Sequence, residues 1–390
     1  MLIFAFFMLS LVLAVQVYLC KKLTLYIEST NMRKISKFIP FVFGFFNLPT
    51  ILIFINRTIK FQFPLDLNSP LFIYPFSIWQ GATLFIFIVI TLGELIQKFV
   101  RFISKKLNQN KERKLNESRR KFIQTALLGI SAYAFAGSTL GTIARNDFKV
   151  EKVKIKIKNL PDELKELTIG LISDIHSGIF MNEEDMKPYF ETLNSLKPDL
   201  ILMPGDFITS NLEEIYPFIN ASKNLKAKYG IFATLGNHEF FTRQPQRIAK
   251  IIEENGVRVL RNEAEKVEIN GKKVFIIGID DLRYGADLDK ATRYLEPGDF
   301  KILLSHKPYD FPKFAQKGIQ LTVSGHTHGG QIVFAKIDDT YIAPASLVSK
   351  FIAGHYKLGD FHLYVTRGIG VVGLPIRLNC PPEITYITLV

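Results

Sequence analysis

Cysteine is nearly missing from this chain of 390 residues: Cys20 and Cys380 stand alone in opposite halves. Neither a C-x-x-C nor any paired spacing exists, which excludes a disulfide scaffold and a zinc ribbon. Acidic residues are scarce in the N-terminal part, where residues 1–150 hold 19 Lys and Arg against 6 Asp and Glu. That excess of +13 is the formal charge of the whole chain, so residues 151–390 carry no net charge. A neutral C-terminal part has no basic field to offer nucleic acid, and no nucleic-acid partner is expected. Internal repeats and low-complexity tracts are also missing.

Charge is absent from three long runs. Met1–Cys20, Phe38–Ile55 and Leu71–Ile90 contain no Asp, Glu, Lys or Arg, and the third continues weakly toward Val100. Each approaches the roughly 20 residues needed to cross a hydrocarbon core. None has the polar stripe of a surface helix. The first has no basic n-region, which argues for a retained anchor over a cleaved signal. A fourth segment, Ala126–Ile143, is richer in Gly, Ser and Thr. It follows Ser118-Arg119-Arg120-Lys121-Phe122-Ile123-Gln124, which resembles a twin-arginine export signal. The expectation is three to four transmembrane helices within residues 1–148, with spans at about 1–20, 38–55, 71–93 and 124–144.

Basic residues orient such spans, since they favour the cytoplasmic side. Five lie between Lys21 and Lys37, two (Arg57 and Lys60) in the Asn56–Asn68 loop, and ten between Lys98 and Lys121. The first and third loops are therefore expected in the cytoplasm. A fourth crossing would then place the C-terminal domain outside. Lys149, Lys152, Lys154, Lys156 and Lys158 argue the other way. The reading taken is a multi-pass protein of the cytoplasmic (inner) membrane with an extracytoplasmic domain.

From about residue 149 to 390 the pattern is that of one soluble domain. Val153, Ile155 and Ile157 alternate with Lys152, Lys154, Lys156 and Lys158, the period of a half-buried strand. Short apolar runs at 167–172, 200–203, 231–235, 301–304 and 320–323 each end at a polar cluster. Amphipathic stretches at 183–196, 212–225 and 244–254 separate them. Strands alternating with helices predict an α/β class domain, a layered α/β sandwich. Ligand sites in such folds lie just beyond the strands' C-terminal ends.

The clusters there read Asp174-Ile-His176, Gly205-Asp206, Gly236-Asn237-His238-Glu239, Ser305-His306 and Gly325-His326-Thr327-His328. They hold five of the seven histidines. Carboxylate, amide and imidazole ligands gathered without thiolate suit Mn, Fe or Zn. Each element alone is weak; five in one order, each after an apolar run, are not explained by core packing. The set resembles the calcineurin-like metallophosphoesterase family, and in particular its membrane-associated bacterial branch. Gly329-Gly330-Gln331 and the ending Pro381-Pro382-Glu383-Ile384 resemble the Tat-exported and UDP-diacylglucosamine-hydrolase-like enzymes.

That resemblance implies two divalent metal ions. Asp174, His176, Asp206 and His328 would hold one, and Asp206, Asn237, His306 and His326 the other, with Asp206 shared. It implies phosphoester or pyrophosphate hydrolysis by a two-metal-activated hydroxide, phosphodiesterase-like, with His238 as the catalytic proton or hydrogen-bond donor. Glu239 is expected to orient a neighbour of the metals. A membrane tether points to a phosphorylated small molecule or lipid as substrate. A non-catalytic metal-loaded sensor and a phosphoprotein phosphatase are the competing classes; the first would predict an eroded motif, and none is eroded. Asp280-Asp281 is left between a turn and the cleft wall. Arg367 and Arg377 are candidates for holding a second phosphate or for a structural role, and His355 and His362 are expected to serve surface or core.

Overall fold

The computed structural model describes residues 2–29, 33–59, 70–106, 117–338 and 340–390, and the side chains of 2–5, 56–59, 70–72 and 117–121 lie outside that description. The chain divides into two units, Met1–Thr142 and Ile143–Val390.

The first unit is four helices: α1 (Leu2–Glu28), α2 (Ile39–Ile59), α3 (Pro70–Lys106) and α4 (Glu117–Ile143). Four stretches are long and apolar enough to cross a membrane: Phe6–Glu28 in α1, Arg33–Ile55 entering α2 through a 3-10 turn, Ile73–Lys106 in α3, and Phe122–Asn146, which leaves α4 through another. Two helices outrun the expected spans, because Lys21–Glu28 and Lys98–Lys106 stay helical instead of forming loops. Large apolar side chains such as Phe41, Phe45, Phe99 and Leu128 point outward, as lipid-facing residues do. The interior is polar by comparison. Gln16 Nε2 donates to Gln80 Oε1 (2.9 Å) and Thr83 Oγ1 (2.7 Å), and Gln80 Nε2 to Asn47 Oδ1 (2.9 Å). Such bonds join helices where apolar packing alone gives no preference over lipid. Lys60 of the second expected loop and Lys111, Arg113 and Lys114 of the third fall outside the described residues. So do the side chains of Ser118, Arg119, Arg120 and Lys121 in the twin-arginine-like run.

The second unit is a sandwich of two mixed sheets with helices outside. Its strands are β1 (Lys149–Ile155), β2 (Thr168–Leu171), β3 (Leu200–Met203), β4 (Ile231–Ala233), β5 (Arg258–Val259), β6 (Glu263–Ile269) and β7 (Lys272–Gly278). They continue as β8 (Phe300–Leu304), β9 (Leu321–Ser324), β10 (Ala335–Ile337), β11 (Thr340–Ile342), β12 (Gly354–Leu358), β13 (Phe361–Val365) and β14 (Glu383–Leu389). One sheet runs β1-β14-β2-β3-β4-β5 and the other β12-β13-β9-β8-β7-β6, while β10 and β11 form a separate hairpin. Helices α5 (Glu183–Ser195), α6 (Ile215–Ser222), α7 (Asn237–Phe241) and α8 (Pro245–Glu254) follow strands of the first sheet. Helices α9 (Leu288–Thr292) and α10 (Phe311–Gln316) follow those of the second.

Side chains on a strand alternate between its faces, and both faces here are covered. Leu200 and Leu202 of β3 meet Ile302 and Leu304 of β8 in the core between the sheets. Ile201 and Met203, one position on, pack with Tyr189 and Leu193 of α5 and Phe218 of α6. Leu303 likewise faces Ala291 and Phe314 on the other side. This two-faced burial explains why the strands read as unbroken apolar runs. The α/β sandwich expected from the alternation is the fold observed. It also aligns the parallel pairs β2-β3-β4 and β7-β8-β9, so that their C-terminal ends carry their loops to one rim.

Candidate metal centre

The five clusters meet at that rim. Asp174 and His176 follow β2, Asp206 follows β3, and Asn237 and His238 follow β4. His306 follows β8, and His326 and His328 follow β9. The first sheet thus contributes five of these residues and the second three.

The chain must turn sharply at each strand end. Asp174, His176, Asp206, His326 and His328 all sit at positive φ, between 49° and 71°. A non-glycine residue there costs about 1–2 kcal/mol. The turns brace one another: Asp174 N–H donates to Gly205 O and His176 N–H to Asp206 O, both at 3.1 Å. Two glycines are required by close approach, because a methyl group on Gly236 would strike the Asp206 carboxylate and one on Gly325 the Asp174 carboxylate.

Among the described residues two clusters of ligand-type atoms result, and His238 joins His176 and Asp206 in a third grouping that overlaps both. His176 Nε2 stands 3.1 Å from His328 Nε2 and 3.6 Å from Asp206 Oδ2, and His328 Nε2 is 3.5 Å from Asp174 Oδ1. In the second, His306 Nε2 lies 3.1 Å from Asp206 Oδ2 and 3.2 Å from His326 Nδ1. Buried Asn237 has an Oδ1 with no hydrogen-bond partner. Atoms bound at about 2.1 Å to one cation stand about 2.9–3.5 Å apart, so both sets have the spacing of a coordination shell.

The chemistry of the donors agrees. His306 Nδ1 is 2.8 Å from the Pro204 carbonyl, which only accepts, so that nitrogen carries the proton. The Nε2 lone pair of a neutral His306 then faces the Asp206 carboxylate, an arrangement that calls for a cation between them. Without a metal a proton must serve: burial pushes the His306 pKa down, but the adjacent Asp206 carboxylate outweighs it and carries it up to about 9. Burial, and secondarily neighbouring histidines, hold His176 well below its ordinary value and His326 at about 2. Burial and Arg377 hold His328 at about 3. Neutral imidazoles are the form that binds metal. Burial raises Asp174 to about 6; it would also raise Asp206, where His306 wins and keeps the carboxyl well below its usual range. The protonation states of the donors, like their spacing, therefore fit divalent cations.

His238 stands at the edge of the cluster. Its Nδ1 donates to the Thr209 carbonyl, its backbone N–H donates to Asp206 Oδ1 at 3.0 Å, and its Nε2 is left facing Asp206 Oδ2 at 4.0 Å. Glu239 lies behind, fully buried. Its carboxylate accepts the N–H groups of Asp206 (3.1 Å), Phe207 (2.8 Å), Ile208 (3.3 Å) and Gly236 (2.8 Å). It holds the turns that carry Asp206 and Asn237, which is the orienting part expected of it.

The pattern of the calcineurin-like phosphoesterases matches residues 167–330. Among similar proteins is the uncharacterised metallophosphoesterase YkuE of Bacillus subtilis, 31% identical over 280 residues, 70% of this chain and 97% of that one. The chain belongs to the calcineurin-like metallophosphoesterase family. An uncharacterised metallophosphoesterase of Campylobacter jejuni is 24% identical over 396 residues, 100% of this chain and 98% of that one. A zebrafish (Danio rerio) transmembrane protein with metallophosphoesterase domain is 30% identical over 255 residues, 62% of this chain. The chain spans only 57% of that relative's length.

Within this family member, some expected residues serve elsewhere. Arg377 is buried and donates to the carbonyls of Arg367 (2.9 Å), Gly368 (3.2 Å) and Cys380 (3.2 Å), and to that of Gly370. Arg367 is paired with Glu151 at 2.6 Å and Glu383 at 2.9 Å. Neither arginine is left for a phosphate; both hold the 366–370 loop, whose Gly370 N–H donates to Asp174 O at 2.7 Å. Asp281 is spent on buried Lys307 (2.7 Å) and Asp280 on Arg261 (2.8 Å). His355 and His362 stack on each other across β12 and β13, apart from the metal cluster. The carbonyls of Pro204 and Thr209, which fix two histidine tautomers, had no signal in the sequence, since every residue carries one. Three exposed aromatics were also not anticipated: Phe241 lies 4.9 Å from His238, Tyr284 is 6.4 Å from Phe241, and Tyr309 is 5.6 Å from His326, ring to ring.

Proposed function

We propose that this chain is a membrane-anchored phosphoesterase that hydrolyses a phosphoester or pyrophosphate bond in a lipid-linked substrate. The observation that carries the hydrolytic part is the facing of His306 Nε2 and Asp206 Oδ2 at 3.1 Å with His306 Nδ1 already committed to a carbonyl. Asp174, His176, Asp206 and His328 would hold one divalent ion, and Asp206, Asn237, His306 and His326 the second. Two such ions supply an acidified water and neutralise charge on the phosphate oxygens. The protein's own residues do the rest. Asp206 would contribute to both metal sites, and the imidazoles and Asn237 would fill them without adding negative charge that would repel the phosphate. His238 is aimed by Thr209 so that Nε2, when protonated, donates to the leaving oxygen.

The lipid-linked part is supported by two features. Four apolar helices precede the domain. Beside the cluster, Phe241, Tyr284 and Tyr309 remain 37–43% exposed, an apolar wall where an amphiphilic leaving group would lie and a phosphopeptide would find little to bind. We further infer, from the basic segments and the twin-arginine-like run, an extracytoplasmic domain on a cytoplasmic membrane. Envelope phospholipids and soluble phosphodiesters suit that side better than a nucleotide-linked lipid precursor.

The test uses the full chain in detergent with Mn²⁺ added, on bis-p-nitrophenyl phosphate and p-nitrophenyl phosphate, beside Asp206→Ala. Hydrolysis lost in Asp206→Ala is expected, and the preferred ester gives the diester or monoester class. Folded, metal-loaded protein that hydrolyses neither ester nor a phospholipid would sink the enzymatic reading.

A further inference from the structure

The excursion between the His328 turn and β12 carries apolar residues that the domain itself does not cover. Leu347 is 89% exposed, Val348 76% and Ile337 61%, with Ile342 also exposed. Pairing in the β10–β11 hairpin sets Ala335 against Ile342 and Ile337 against Thr340. Ile337 and Ile342 therefore share one hairpin face, while Lys336 lies over the Tyr341 ring on the other. Leu347 and Val348 follow within a few residues; exposed Lys336 and Lys350 flank the group, and exposed Asp338 sits at the hairpin turn.

The base of this excursion is firmly seated on the metal centre. Ala343 packs with Val333 and Cys380 and against Gly330. Thr327, between ligand-type residues His326 and His328, donates from Oγ1 to the Ile352 carbonyl at 2.6 Å. Gln331 holds the carbonyls of Val372 (3.1 Å) and Leu374 (2.9 Å). An exposed apolar tip on a rigid base is costly in water and marks an interaction surface.

We propose that the exposed tip formed by Ile337, Ile342, Leu347 and Val348 docks on the lipid bilayer, its apolar residues entering the acyl boundary and Lys336 and Lys350 meeting lipid phosphates. The bilayer is the occupant the chain itself supplies. Helix α4 ends at Ile143 and β1 begins at Lys149, so at most about 20 Å of chain separates the last apolar helix from the domain. A domain tethered by so short a linker meets the bilayer at high effective concentration. The affinity of such a tip comes from its apolar side chains, since Asp338 offsets one of the two lysines. Docking would present lipid phosphates to the turn that carries His326 and His328, which is where this inference rests on the proposed function.

The test is made on the full chain in proteoliposomes of phosphatidylethanolamine and phosphatidylglycerol, with Cys20→Ser and a nitroxide on Leu347→Cys or Val348→Cys. A nitroxide on Lys357→Cys, exposed on β12, is the aqueous control. The tip labels should collide more with oxygen and several-fold less with a water-soluble nickel chelate than the control. Equal nickel accessibility would overturn the proposal, and so would low accessibility to both reagents, the signature of a second protein copy covering the tip. A Leu347→Asp, Val348→Asp double variant should lose about tenfold in hydrolysis of vesicle-borne phospholipid while keeping that of soluble bis-p-nitrophenyl phosphate. Equal loss on both substrates would also overturn it. A parent chain inactive on either substrate speaks against the enzymatic reading, and the labels still decide docking.

Discussion

Glu239 and Asp206 are bound to each other through the backbone: the Glu239 carboxylate accepts the Asp206 N–H at 3.1 Å together with those of Phe207, Ile208 and Gly236. Two acceptor oxygens serve four donors. In Glu239→Gln one oxygen becomes an NH₂ group that meets N–H groups head-on. Each orphaned buried donor costs about 1–3 kcal/mol. The variant should melt lower and hold fewer than two metal ions per chain, as read by calorimetry and mass spectrometry of the metals.

His238 and Asp206 separate chemistry from assembly. Asp206→Ala removes the carboxylate shared by both clusters, and both metal ions and hydrolysis should be lost together. His238→Ala leaves the seven ligand-type side chains in place. It should keep its metals and lose about 10²–10⁴-fold in turnover, the usual worth of a positioned proton donor. Unchanged turnover in His238→Ala would remove its catalytic role.

Metal affinity should depend on pH with a calculable sign. In the metal-free protein His306 is protonated up to about pH 9, so a cation entering at pH 7 must displace that proton. Affinity for Mn²⁺ should rise about tenfold per pH unit up to about 9 and then level. Below about pH 6 Asp174 is protonated as well, and the slope should steepen. Calorimetry in buffers of different ionisation enthalpy should show net proton release at pH 7.

Arg377 distinguishes a structural from a substrate role. Its guanidinium is buried among the carbonyls of Arg367, Gly368, Gly370 and Cys380. Arg377→Met would orphan those carbonyls and loosen the loop behind Asp174. A lowered melting temperature with weakened metal retention is expected. A raised KM on an otherwise stable, metal-loaded protein would return Arg377 to the substrate.

Most of the centre was legible because strand ends and ligand types are local: an apolar run, a glycine and a carboxylate or imidazole declare themselves within six residues. The same locality left Arg367 and Arg377 open between a phosphate and a structural role. Arginines in a glycine-rich segment look available until the fold closes Glu151 and Glu383 around one and backbone carbonyls around the other. Glu239 could be placed near the metals, but its four backbone partners depend on how two turns from different strands meet. The lengths of α1 and α3 were underread because charged residues end an apolar run without ending a helix.

Asp174, His176, Asp206, His326 and His328 keep left-handed backbones that each oppose folding. Glycine or asparagine adopts that conformation far more readily. It follows that inactivating substitutions of this kind, such as His328→Gly, remove strain as well as a ligand. The metal-free variant should then outlast the metal-free parent in heat. Selecting libraries of this protein for expression or thermal survival alone would therefore enrich dead variants, so any such campaign has to score metal binding alongside robustness.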